Sequence, residues 1–143
     1  MTLQNKTYQF RIYPNIEQQL LFDKMFGCSR FVWNYFLNKE KEHFLKNKEK
    51  IEEERTKNYL SYYDNAKSLT LLKQESETKF LKDANSQSLQ ATLKNLDIAY
   101  KRFFKKQSGF PNFKKKLGKQ SICIPQNLSI ENGMLNIPKF KTG

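Results

Sequence analysis

LQATLKNLDIAYKRF, residues 89–103, decides the architecture. Leu89, Leu93, Leu96, Tyr100 and Phe103 recur at steps of 4, 3, 4 and 3, which keeps apolar side chains on one side of an α-helix. A polar stripe of Gln87, Gln90, Lys94 and Lys101 runs beside them. A lone amphipathic helix of this length is marginal in water, so its seam must be covered by other apolar elements. The sequence upstream has to supply them.

It does so in segments. Asn15 followed by Gln18 resembles a capping box and opens a helix carrying Ile16, Leu20, Leu21 and Met25 up to Gly27, which reads as a C-cap. A second helix follows directly, with Cys28, Phe31, Val32, Tyr35 and Phe36 at helical offsets. Joined at one glycine, the pair forms a helix–turn–helix pattern. Residues 39–57 are charged at 13 of 19 positions, with both signs mixed, and read as an exposed extension held by i,i+4 pairs. A further helix starts after Ser61 and carries Tyr62, Ala66, Leu69 and Leu72.

Strand-like periods flank these helices. In residues 7–13, TYQFRIY, Tyr8, Phe10 and Ile12 alternate with polar neighbours until Pro14. Beyond the last helix, 105–119 is a basic loop, KKQSGFPNFKKKLGK, and Ser121–Pro125 reads as a short strand. Asn132-Gly133 favours a type I′ hairpin, setting Ile130 opposite Leu135 and Leu128 opposite Ile137. The order of strand, four helices and strands gives an α+β fold, mainly helical, with a helical module inserted into a small β element.

The chain of 143 residues carries 26 Lys+Arg against 14 Asp+Glu, a formal charge of +12. Residues 98–143 hold ten of the basic residues and a single carboxylate, Glu131. Such crowding repels itself and points to a polyanionic partner, most naturally nucleic acid. Lys105, Lys106, Lys114, Lys115, Lys116 and Lys119 are placed to neutralise phosphates, whereas an amide such as Gln90 can read adenine edges. For Phe110 and Phe113 the sequence leaves open base stacking and anchoring in the core. No membrane span or secretory leader is visible, and Cys28 and Cys123 stand far apart, so a reduced, cytoplasmic protein is expected. The one histidine, His43, reads as a solvated side chain. Asp23, Asp64, Asp83 and Asp97 show no metal-binding signature and read as surface or capping residues. No phosphate loop or nucleophile motif is present. These features favour binding over catalysis, with no metal, cofactor or catalytic residue expected.

YQFRIYPN, FGCSRFVWNYFL, SLTLLKQE, NSQSLQATLKNLDIAYKRFF, GFPNFKKK and NGMLNIPK follow one another as in TnpB/OrfB proteins, and the chain resembles that family over nearly its whole length. These insertion-sequence accessory proteins are RNA-guided DNA endonucleases that look like ancestors of type V CRISPR effectors. The resemblance implies a wedge domain of β-barrel type, partial here, at 1–14 and 108–143, with a helical recognition lobe at 15–107. It implies two partners, a guide RNA and double-stranded DNA bearing a short target-adjacent motif. Tyr62 and Gln90 match positions that face the motif duplex, with Ser86 and Gln87 on the same helical end. Lys114, Lys115 and Lys116 match the family's basic loop on the nucleic-acid backbone. The RuvC-like nuclease fold and four-Cys zinc ribbon that follow this region in the family have no counterpart in these residues. A truncated product, a degenerate copy, an excised piece and a split subunit all fit that difference. Two further readings are a free-standing helix–turn–helix regulator and a competitor of a full-length relative.

Overall fold

A computed structural model describes residues 3–46, 61–118, 120–126 and 128–138. Its elements run α1 (Ile16–Lys46), α2 (Tyr62–Leu72), a 3-10 helix (Ser76–Asp83), α3 (Ser86–Phe104), β1 (Ser129–Glu131) and β2 (Met134–Asn136). The mainly helical α+β class therefore holds.

The core lies where α3 meets α1. Leu89, Leu93, Leu96 and Tyr100 of α3 are buried in one cluster with Cys28, Val32, Phe36 and Leu37 of α1. Leu69 and Leu72 of α2 and Leu81 of the 3-10 helix complete that cluster. The seam read from residues 89–103 is thus the face that packs, with Phe103 at its half-buried end. Burying each leucine here stabilises the fold by roughly 1.5–3 kcal/mol.

Three helix starts carry the side-chain caps that polar residues provide. Asn15 and Gln18 exchange reciprocal bonds of 2.9 Å at the start of α1. Ser61 and Asp64 form a capping box on α2, and the Ser61 backbone N–H holds the Asp64 carboxyl below its usual pKa. Asn85 accepts from the backbone N–H of Gln87 and of Ser88 at the start of α3. At its other end α3 closes in a Schellman motif, with Gln107 N–H on the Arg102 carbonyl and Lys106 N–H on the Phe103 carbonyl.

Several expectations fail, each for a physical reason. The two N-terminal helices are one: α1 runs unbroken through Gly27, so no helix–turn–helix joint exists at that glycine. A glycine C-cap requires left-handed backbone, and among the described glycines only Gly133 has positive φ. The start of the expected apolar stripe is also exposed, with Ile16 76% accessible, and burial begins at Met25. In the charged stretch the α1 portion is not wholly solvated, since Glu40 is 1% exposed and His43 is partly buried. Residues 47–57 of that stretch lie outside the described residues. The 3-10 helix at 76–83 was not anticipated, because its short sequence SETKFLKD holds only two large apolar side chains, Phe80 and Leu81, side by side.

Residues 7–13 are not a strand; Tyr8 and Phe10 are each 70% exposed. Alternation prepares a segment for pairing, but a ladder needs a neighbour, and none lies beside it among the described residues. Residues 121–125 are likewise irregular, tied to α3 where the Ser88 hydroxyl donates to the Cys123 carbonyl. The hairpin forms in the expected register, Ile130 opposite Leu135, around Asn132 and Gly133 with φ of 52° and 73°. Its ladder stops at Ser129 and Asn136, short of Leu128 and Ile137. Ile130 remains 64% exposed, so the apolar face of the hairpin lacks a cover among the described residues.

Because α1 passes straight through Gly27, Gly27→Ala is expected to stabilise the protein by about 0.5–1 kcal/mol in urea denaturation. A loss of stability would restore a helix end at that position. The capping box on α2 gives a second expectation. With the folded pKa of Asp64 depressed, its contribution is present above the ordinary carboxylate pKa and is lost as pH falls through the folded value. Ser61→Ala should therefore cost about 1 kcal/mol at neutral pH, and the gap to wild type should narrow in acid.

Candidate nucleic-acid interface

The basic loop after α3 is fastened to α1 by side chains some 80 positions away. Phe110 first anchors it, meeting Tyr100 at 5.7 Å and Phe103 at 5.2 Å, both edge-on. Trp33 Nε1 then donates to the Asn112 carbonyl at 2.9 Å. Asn34 grips the next residue but one from both sides. Its Nδ2 donates to the Lys114 carbonyl at 2.9 Å, and the Lys114 N–H donates to its Oδ1 at 2.8 Å. An amide can replace a strand partner in this way, because it presents one donor and one acceptor in a plane.

The clamp sorts the three consecutive lysines. Lys114 is turned back over Trp33, its Nζ 4.4 Å from the ring centroid, a cation–π contact. Loss of water around that ammonium lowers its pKa, although the residue as a whole keeps exposed surface. Lys115 and Lys116 point into solvent beyond it, just before a turn closed by Gly118 N–H on the Lys115 carbonyl. The two phenylalanines left open by the sequence separate as well. Phe110 belongs to the core, whereas Phe113 is 46% exposed with Lys41 Nζ 6.0 Å from its ring.

Lys105 and Lys106 sit at the C-terminal turn of α3, both exposed. Lys106 occupies the left-handed position of the Schellman motif at φ 59°, where glycine is the usual residue. A lysine held there bears strain of about 1 kcal/mol. Lys101 forms an ion pair with Asp97 at 3.0 Å while its side chain stays 56% exposed. Lys119 lies outside the described residues.

The other expected residues gather at the opposite end of α3. Ser86 is exposed, and Gln87 and Gln90 are partly exposed on the outer side of the helix. Lys94 Nζ reaches across to α2, 5.5 Å from the centroid of the Tyr62 ring. The 19 residues of α3 span about 28 Å. The amide-bearing end and the basic loop are thus separate faces carried on one rigid rod. Trp33 and Asn34 were missed from sequence, where a lone tryptophan and an asparagine within a helix give no sign of a loop partner far downstream. Among the described residues no three His, Cys, Asp or Glu side chains converge as a metal site, and Cys28 and Cys123 are free thiols. No described helix is long and apolar enough to cross a membrane.

Known proteins match this chain along nearly its full extent. The OrfB family model described as a helix-turn-helix domain matches residues 1–49. A protein of Escherichia coli bearing the provisional name RNA-guided DNA endonuclease InsQ is 34% identical over 138 residues, 94% of this chain and 32% of the relative. A Streptomyces pristinaespiralis protein, also provisionally named an RNA-guided DNA endonuclease, is 28% identical over 136 residues, with the same 94% and 32% covered. The chain thus spans about a third of the length of these curated relatives. Family model and relatives together support a TnpB/OrfB N-terminal fragment, to which the chain is similar over nearly its whole length.

Proposed function

We propose that this chain is the nucleic-acid-binding N-terminal part of a TnpB-type RNA-guided DNA endonuclease, holding guide RNA scaffold and reading a short DNA motif beside the target. The observation that carries this reading is the clamped loop. Trp33 and Asn34 fix the backbone at Asn112 and Lys114, so Lys115 and Lys116 are presented to a partner without first having to be ordered. Pre-ordering of this kind lowers the entropic cost of binding. The strain accepted at Lys106 is further support, because glycine would relieve it and would remove a positive charge.

Roles divide along α3. Lys105, Lys106, Lys115 and Lys116, with Lys119 beyond, contact phosphates, while Lys114 holds the loop against Trp33. Tyr62, Ser86, Gln87, Gln90 and Lys94 face the motif duplex, with Gln90 as the base reader and Lys101 on the flanking backbone. Residues 15–107 form the recognition lobe, and 1–14 with 108–143 form the partial wedge. The exposed apolar sides of 7–13 and of the hairpin are what such a wedge would leave for completion. Base pairing by the guide supplies the remaining specificity, as in effectors where protein reads a short motif and backbone shape. DNA cleavage is assigned elsewhere than to these residues. The free-standing helix–turn–helix regulator is the weaker reading, since α1 runs unbroken where such a module would turn.

Salt titration of duplex and RNA binding tests the assignment. Lys115→Ala with Lys116→Ala should weaken binding to all sequences and flatten the logarithmic salt slope by roughly 1–2, and an unchanged slope would contradict the loop's role. Lys106→Gly should do the same by about one phosphate contact while raising stability by about 1 kcal/mol. Gln90→Ala should instead erode discrimination between duplex motifs. Uniform weakening across motifs would remove it as a base reader.

A further inference from the structure

A groove on α1 shares Asn34 with the clamped loop and is otherwise lined by residues not assigned above. It is open, holds about 580 Å³ and is lined by Gly27, Arg30, Phe31, Asn34, Tyr35 and Phe80. Phe31 stacks on Tyr35 with centroids 5.8 Å apart and meets Phe80 edge-on at 5.2 Å. Tyr35 and Phe80 nevertheless stay 39% and 42% exposed. Three rings have gathered at the surface without closing over one another, and that leaves aromatic area wet at a cost to folding.

The lining carries one charge, and it is positive. No carboxylate lines the groove, and Arg30 supplies a guanidinium within it. Asn34 forms part of its wall and is the same residue that grips Lys114, so the groove opens directly beside the basic loop. Gly27 adds a second sign. Nothing in the backbone of α1 requires glycine there, and a Cβ would meet only the Arg30 guanidinium at 3.8 Å. Glycine inside a helix is destabilising relative to alanine, and at this position it keeps one end of the groove open.

Flat aromatic faces with a guanidinium beside them match the chemistry of an unpaired base and its phosphate. Within a duplex each base face is covered by its neighbours, whereas a single strand can splay its bases onto aromatic rings. A groove of this volume falls within the range of sites for small planar ligands and does not admit a duplex. We infer that the groove is a base-stacking site for an unpaired segment of guide RNA, with Tyr35 and Phe80 as the platforms and Arg30 on the adjoining phosphate. This rests on the assignment of RNA to the chain made above.

The full chain is titrated by fluorescence anisotropy with a labelled single-stranded uridine-rich RNA and, separately, a blunt RNA duplex. Tyr35→Ala and Phe80→Ala should each weaken the single strand about tenfold and leave duplex affinity unchanged. The salt slope should not move, because a stacked base releases no counterions. Tyr35→Phe and Phe80→Tyr should retain wild-type affinity, and thermal melts should show all four variants folded, since both side chains are already substantially exposed. Should Phe80→Ala fail to fold, Tyr35→Ala decides alone. Equal loss on strand and duplex, or no loss on the strand, would overturn the groove as a stacking site. A wild-type chain that binds neither RNA would instead contradict the broader assignment of RNA to it.

Discussion

The seam between α1 and α3 is the contact on which the rest of the molecule depends. Val32, Phe36 and Leu37 share one buried cluster with Leu89, Leu93, Leu96 and Tyr100, all 0–1% exposed, and among the described residues these two helices contact each other more extensively than any other pair of elements. Burial raises the pKa of the Tyr100 phenol, and the nearby Glu40 carboxylate raises it further. That phenol lies within hydrogen-bond reach of the Leu37 carbonyl, so even the polar end of the seam is directed inward. Once the two helices are locked, their outer surfaces become fixed platforms at known separation. Trp33 and Asn34 are held on one side of α1, and the amide and lysine stripe is held on the far side of α3.

This arrangement resolves an electrostatic difficulty. A chain at +12 that crowds cations after α3 repels itself, and a flexible loop would spread to relieve that repulsion. The clamp prevents the spreading by spending neutral contacts on the backbone: two bonds from Asn34, one from Trp33 and the Phe110 anchor. Among the described lysines of the loop only Lys114 is drawn inward, onto an aromatic face that tolerates a cation. Lys105, Lys106, Lys115 and Lys116 stay exposed to water.

How much of this was legible depended on how local each signal was. The heptad-like steps of residues 89–103 and the Asn132-Gly133 register are set by neighbours in sequence, and both were readable. So were the capping box at Asn15 and the helix start after Ser61. Gly27 was misread because a glycine after an apolar stripe ends a helix or sits inside one according to its φ, which composition does not reveal. Residues 7–13 were misread because alternation describes one edge of a ladder and says nothing of the other. Among candidate site residues, the lysines and Gln90 are candidates on charge and side-chain chemistry alone. Trp33, Asn34 and the Phe31–Tyr35–Phe80 rings act across 45–80 residues of separation, and only tertiary structure reveals them. Phe80 in particular comes from an eight-residue 3-10 segment with only one other large apolar side chain, Leu81.

The central claim, that these residues hold a guide RNA, is tested most directly by what the chain carries out of a cell. Expressed in a bacterium that harbours its native locus and purified at moderate salt, it should copurify with one enriched transcript ending at an element boundary. Bulk ribosomal and transfer RNA alone, lost as salt is raised, would contradict the claim and leave a basic surface without a specific partner.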